Sequence, residues 1–205
     1  MEKTTKNLYF YKINSIIGPI YIVKSSDGLR MIELIEEEWI EFKEKQNLIE
    51  DKNICMDVII QLEEYFKGKR MEFDLALDIE GTEFRKLVWN ELVKIPYGEL
   101  KSYSYIAKSI GNEKAVRAIG QANRANPIPI IIPCHRVTGK NGMLLGYAGN
   151  HTDIQEKLIN FEKKIYKNKQ ILRIDKFTYY GAGYISPLFI LLIILLKNKY
   201  KYFNI

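Results

Sequence analysis

Cys134 stands beside His135 and Arg136 in the run Ile132-Pro133-Cys134-His135-Arg136-Val137, which is entered through Asn126-Pro127-Ile128-Pro129. A thiol next to an imidazole is a pairing suited to nucleophilic catalysis. A free cysteine has a pKa of about 8.5, so little of it is thiolate at neutral pH until a base or a positive group lowers that value. His135 is the candidate base. Pro127, Pro129 and Pro133 fix φ and remove backbone donors, which excludes an ordinary helix and predicts an extended, apolar, buried approach to the cysteine. On an extended segment, neighbouring side chains point apart, which disfavours direct exchange of a proton between Cys134 and His135. A Cys-His neighbour pair taken alone packs more often than it reacts, because cysteine is among the most buried residue types.

The rest of the composition narrows the chemistry. Cys55 and Cys134 are the only cysteines and His135 and His151 the only histidines, which excludes a disulfide framework and a multi-histidine or cysteine-based metal site. Two cysteines in unlike contexts, behind a polar, Lys-rich start with no apolar signal core, fit a reducing cytoplasm. Cys55 reads as a packing residue of a helix. The net charge of +6 hides an asymmetry: residues 1–80 carry net −6, 81–162 net +4 and 163–205 net +8. The cationic half bears the Cys134 segment, as contact with a phosphate backbone would favour.

Several elements must hold that segment in place. Short apolar runs over residues 8–35, broken at Gly18-Pro19 and Ser25-Ser26-Asp27-Gly28, predict a strand meander. Ile54, Val58, Leu62 and Phe66 recur every four residues, predicting a helix over 53–66 that ends near Gly68. These make an N-terminal α+β domain, residues 1–80. From Thr82, Phe84, Leu87, Val88, Leu92 and Val93 form one apolar helical face that breaks at Pro96-Tyr97-Gly98. Ser102 is placed to cap a helix through Ile110, Gly111-Asn112 to turn, and Glu113 to Arg124 to form a second helix, the pattern of a helix-turn-helix. On that second helix Arg117, Gln121 and Arg124 share one side at i, i+4 and i+7, while Val116, Ile119 and Asn123 share another. Small residues Ala115, Ala118 and Gly120 lie among them and permit close approach to a groove. The alternative is a solvated face with Gly120 admitting a neighbouring helix.

The stretch Asn126-Pro-Ile-Pro-Ile-Ile-Ile-Pro-Cys-His-Arg-Val137 resembles the active-site signature of the O6-alkylguanine-DNA alkyltransferases, the methylated-DNA-protein-cysteine methyltransferases. The resemblance runs from Tyr9 to Glu162 and includes Ser102-Tyr103, Arg117-Ala118-Ile119-Gly120 and Gly146-Tyr147-Ala148-Gly149. It implies an α+β chain: a small antiparallel-sheet, ribonuclease-H-like domain over 1–80, then a mainly helical, winged helix-turn-helix-like domain over 81–166 that binds DNA and carries the chemistry. It also implies single-turnover repair of duplex DNA. An alkylated base is rotated out, and a cysteine sulfur takes the alkyl group from O6-methylguanine, and from O4-methylthymine, as a permanent thioether. No cofactor, no metal and no obligatory protein partner is implied, and the chain is expected to act as a monomer on the minor groove.

Carried over residue by residue, Cys134 matches the alkyl acceptor and His135 the imidazole that takes its proton through an ordered water. Glu162 matches the carboxylate behind the histidine. Asn126 matches the asparagine bracing the site's turn, and Arg136 a residue that pairs internally. Arg117 matches the finger entering the stack, with Ala115, Ala118, Gly120, Gln121 and Arg124 on the same DNA-facing helix. Tyr103 matches the tyrosine acting at the rotated nucleotide, and Val137, Tyr147 and Ala148 the wall of the base pocket.

Two features depart from the family pattern. Gly149-Asn150-His151-Thr152 stands where the family continues Gly-Gly-Leu. Beyond Tyr166 a Lys-, Ile- and Asn-rich extension, residues 167–205, reaches nine consecutive apolar residues, Leu188–Leu196. A membrane span needs about 20, so a docked helix or loosely ordered extension is expected in preference to a membrane anchor. Two rival functions stand beside this one: a DNA-binding sensor of alkylated bases with a disabled site, which the presence of both Cys134 and His135 opposes, and a Cys-His hydrolase.

Overall fold

The computed structural model describes residues 7–144 and 151–180, with side chains through residue 170. Met1–Ile165 form one compact unit and Tyr166–Ile205 a second, of which the helix continuing to Tyr180 is described. The apolar stretch 188–196 lies outside the described residues.

The meander forms as its punctuation demands. Strands β1 (Leu8–Ser15), β2 (Gly18–Lys24) and β3 (Leu29–Glu33) pair antiparallel in sequence. The central strand is buried on both faces. Ile20 and Ile22 enter the main core, while Tyr21 and Val23 face a smaller cluster built on Trp39. Trp39 stacks on Tyr21 with ring centroids 4.6 Å apart, and it anchors α1 (Glu36–Glu44) to the sheet. That helix was not foreseen, since its only buried residue is Trp39 and the rest is mostly acidic. Because α1 carries the chain across the sheet, the next strand, β4 (Leu48–Glu50), returns parallel to β1. The sheet, of order β3-β2-β1-β4, is therefore mixed where an antiparallel one was expected.

Helix α2 (Met56–Phe66) buries Val58, Ile59, Leu62 and Tyr65, so the inward stripe is turned from the expected one and Cys55 caps the helix instead of lying within it. It stops at Gly68, whose φ of +68° suits the residue after a helix, and whose missing Cβ leaves room for Ile165. Helix α3 (Glu83–Val93) starts at Thr82, whose hydroxyl accepts the Arg85 amide. Its buried face is Val88, Trp89 and Leu92, while Leu87 and Val93 are 46% and 54% exposed, so the expected apolar face is narrower.

Strand β5 (Lys101–Ser102) leads into α4 (Tyr103–Ser109), capped by Ser102 as expected. After the Gly111 turn, a 3-10 turn (Glu113–Ala115) precedes α5 (Val116–Arg124), so the second helix begins less regularly than expected. The Trp89 indole donates to the Ala122 carbonyl at 2.8 Å, pinning α3 to α5. The last helix among the described residues, α6 (Thr152–Tyr180), buries Ile154, Gln155, Leu158, Ile159 and Glu162 along one stripe. A glutamine and a glutamate on such a stripe need partners.

Candidate active site

The proline-rich approach is a folded turn and not the extended segment its prolines suggest. Proline restricts its own φ and its predecessor, which leaves Ile130 free to adopt φ +75°. A left-handed β-branched residue is strained. Two features hold it: Ile128, Ile130 and Ile132 are each at most 1% exposed, and Asn126 bridges the turn. The Asn126 amide donates to the Ile132 carbonyl at 2.8 Å, and its side-chain oxygen accepts the Ile128 amide at 3.1 Å. The Ile32 amide of β3 donates to Pro127 O at 2.9 Å, so the N-terminal sheet also holds the loop.

Cys134–Arg136 then make a single 3-10 turn, so the alternation of an extended segment does not apply to Cys134 and His135. From there β6 (Val137–Thr138) pairs with β5, tying the turn to the start of α4. Gln155 of α6 donates to the carbonyls of His135 and Val137, at 3.2 and 3.0 Å. Cys134 is 3% exposed. The Asn123 amide donates to its carbonyl at 3.4 Å. Burial, and then electrostatic repulsion that a Cys134 thiolate would exert, raise the Tyr103 phenol, against the opposing hydrogen bond with Asn123. Tyr103 therefore keeps its proton at neutral pH and lies within electrostatic reach of Cys134.

His135 is fully buried, with Nε2 at 2.9 Å from Glu162 Oε1. Burial lowers its basicity, Glu162 restores part of it, and Arg136 opposes that gain. The ring is thus neutral, with Nε2–H assigned to the carboxylate by the network. Its Nδ1 is buried without a protein partner, leaving that nitrogen as the proton acceptor. Burial alone would push Glu162 up, but its bonds to His135 and Arg136 outweigh this and hold it well below the usual carboxylate range. Arg136 reaches Oε1 through Nη2 at 2.8 Å and Oε2 through Nε at 3.0 Å, and donates to Ile95 O at 2.7 Å. It pairs internally, as expected. Tyr65 Oη donates to Oε1 at 2.8 Å and the Gly98 amide to Oε2 at 3.0 Å.

A cleft of about 260 Å³ opens at Cys134, walled by Asn123, Arg124, Asn126 and Pro129 on one side and by Ile32 to Ile35 with Glu38 on the other. On α5, Arg117, Ala118, Gln121 and Arg124 are exposed, whereas Ala115 is buried. A Cβ at Gly120 would meet nothing within 4 Å, so no neighbouring helix requires this glycine. Val137 is buried in the core. Tyr147 and Ala148 lie outside the described residues. Among the described residues, no cluster of His, Cys, Asp and Glu suits a metal ion, and no helix is long and apolar enough to cross a membrane.

Sequence reasoning missed Tyr65, Gln155 and Asn123. The signal was available for all three, since Gln155 sits between Ile154 and Leu158, Tyr65 lies seven residues after Val58, and Asn123 shares a helix side with Ile119.

Comparison with known proteins places both halves of the chain in one family. Residues 8–79 match the 6-O-methylguanine DNA methyltransferase ribonuclease-like domain and residues 83–164 the 6-O-methylguanine DNA methyltransferase DNA-binding domain. The constitutive methylated-DNA–protein-cysteine methyltransferase of Bacillus subtilis is 43% identical over 163 residues, 78% of this chain and 99% of that protein. A methylated-DNA–protein-cysteine methyltransferase of Methanosarcina acetivorans is 46% identical over 156 residues, 76% of this chain and 98% of its own. The crystal structure of Mycobacterium tuberculosis OGT in complex with DNA superposes with a TM-score of 0.70 at 38% identity, covering 77% of this chain and 94% of that one.

Proposed function

The chain belongs to the methylated-DNA–protein-cysteine methyltransferase family, and on that basis we propose that it repairs O6-methylguanine in DNA by moving the methyl group onto its own Cys134. The observation that carries this reading is the buried line from Glu162 through His135 to the Cys134 turn, with Nδ1 of His135 left as the proton acceptor.

In the proposed reaction His135 Nδ1 receives the thiol proton through a water, and Glu162 stays ionised and stabilises the imidazolium. The thiolate attacks the methyl carbon in line. The carbon–sulfur bond forms as the carbon–oxygen bond breaks, and the guanine leaves as the normal base with the proton that the imidazolium returns through water. A thioether is a poor leaving group, so each molecule reacts once. Tyr103, still protonated, is the donor proposed to meet the rotated base. The exposed Arg117 is proposed to fill the vacated stack from the minor groove, with Gln121 and Arg124 holding the backbone and Gly120 admitting it. Val137, Tyr147 and Ala148 are proposed for the pocket wall. O4-methylthymine is proposed as a second substrate, and the protein is proposed to act as a cytoplasmic monomer with residues 167–205 as an appendage.

The test is incubation with duplex DNA carrying O6-methylguanine, followed by peptide mass spectrometry. One methyl group on the Cys134 peptide, stopping at one equivalent, is the expected result. Turnover beyond one equivalent would point to a hydrolase, and binding without transfer to a sensor.

A further inference from the structure

Glu162 is reached from both halves of the chain, and the N-terminal contribution lies beyond the reaction as set out above. An ionised carboxylate offers about four acceptor sites. Glu162 meets five donors: His135 Nε2, Arg136 Nε and Nη2, the Gly98 amide and Tyr65 Oη. Three of them, His135, Arg136 Nη2 and Tyr65, converge on Oε1 within 2.9 Å. Whatever share Tyr65 takes is lost to His135.

The tyrosine is placed for this and little else. It is fully buried on α2, and Phe66, Phe73, Tyr97 and Phe161 pack around its ring at centroid distances of 5.0 to 5.8 Å. Boxed in this way, the ring has one orientation available, and its hydroxyl points at the carboxylate. A buried tyrosine hydroxyl needs a partner. Here the partner is the group that orients the candidate base, 97 residues away in sequence.

We propose that Tyr65 is a positioning residue of the alkyl-transfer site: its hydroxyl fixes Glu162 Oε1 against His135 and limits the pull that the carboxylate exerts on the imidazole proton. The N-terminal domain thereby completes the site. This rests on Cys134 and His135 acting as proposed above. The charged and titratable groups facing Glu162 are His135 and Arg136 from the 3-10 turn, Tyr97 from the loop after α3, and Tyr65 from α2. Of these, Tyr65 and Tyr97 are uncharged, and of the two it is Tyr65 whose hydroxyl bonds to Glu162.

The direction of the effect follows from the sharing. Without the hydroxyl, more of the carboxylate's negative charge bears on His135, the imidazolium is stabilised, and the ring stays protonated to higher pH. A protonated ring cannot accept the thiol proton. In Tyr65→Phe the acid limb of the pH–rate profile for transfer from free O6-benzylguanine to Cys134 should therefore move up, by on the order of one pH unit. Replacing Tyr65 by 3-fluorotyrosine, a stronger donor of the same shape, should move it down. On a Glu162→Gln background, Tyr65→Phe should move it no further. An unshifted limb in both Tyr65 variants, or an equal shift without the carboxylate, would overturn the proposal and leave Tyr65 as packing. A wild-type protein that takes no alkyl group on Cys134 would instead remove the site assignment itself, and this inference with it.

Discussion

Asn126 holds Ile132, six positions further along the chain, its amide 2.8 Å from the Ile132 carbonyl. Between the two sits Ile130 at φ +75°, a conformation that the turn must enforce. Asn126→Ala would take the acceptor from the Ile128 amide and one of two donors from the Ile132 carbonyl, which keeps the Cys134 amide, and would release that strain into a loosened loop. A loss of roughly 1–3 kcal/mol in urea unfolding is expected, with transfer to Cys134 slowed more than DNA binding. A variant as stable and as fast as wild type would show that the prolines alone hold the turn.

Arg117 is exposed on α5. Arg117→Ala should weaken repair of a lesion in duplex far more than reaction with free O6-benzylguanine, because base extrusion costs a few kcal/mol that a free base does not incur. Rates on the two substrates measured side by side decide this, and equal losses would remove the stack-filling role.

Glu162 links pH to stability. Its folded-state affinity for protons is depressed by His135 and Arg136, against the effect of burial. The stability this contributes is fully present above the unfolded glutamate pKa of about 4.3 and is lost as pH falls below it. Glu162→Gln should flatten that part of the acid-unfolding curve. It should also lower stability by roughly 3–5 kcal/mol, because Arg136 is left buried and unpaired. Transfer should slow, with DNA affinity nearly unchanged under conditions where the variant is folded. A transfer rate equal to wild type would shift the supporting role to another carboxylate.

Cys55 is the internal control for Cys134. Burial pushes its thiol up to about 11, so it carries almost no thiolate at neutral pH. Cys134→Ser should still bind damaged duplex and gain no methyl group. The appearance of the methyl group on Cys55 would overturn the assignment.

Truncation after Lys169 leaves the compact unit Met1–Ile165 whole. Its rate of transfer should match that of the full chain. A folded but inactive truncation would show that residues 170–205 serve the site.

The elements that punctuation and period announce were legible: the meander broken at Gly18-Pro19, the Thr82 and Ser102 caps, and the helix-turn-helix. Cys134, His135 and Glu162, the proposed nucleophile, base and supporting carboxylate, were singled out by the signature, and the structure brings His135 and Glu162 to 2.9 Å. What stayed hidden depends on long-range contact. Helix α1 is held by the packing of Trp39 on Tyr21, a partner 18 residues back that no local periodicity reveals. The parallel return of β4 follows from that helix. The fold of the approach turned on a left-handed isoleucine, which composition argues against. Tyr65 stayed hidden because it lies off the expected stripe of Ile54, Val58, Leu62 and Phe66, and the carboxylate it meets lies in the other half of the chain.

The bond from the Ile32 amide to Pro127 O also bears on solubility. Strand β3 is an outer strand of the sheet, and an open outer strand is a template for joining another molecule's strand. Here Leu29 is bonded to Ala76 and Asp78, and Ile32 to Pro127, so the outer side is occupied by the chain itself. The opposite border, β4, is three residues long. The loop that leads to Cys134 is thus also part of what seals the sheet. Variants that loosen it are expected to self-associate, seen as light scattering that grows with protein concentration, at temperatures where the helices are still intact.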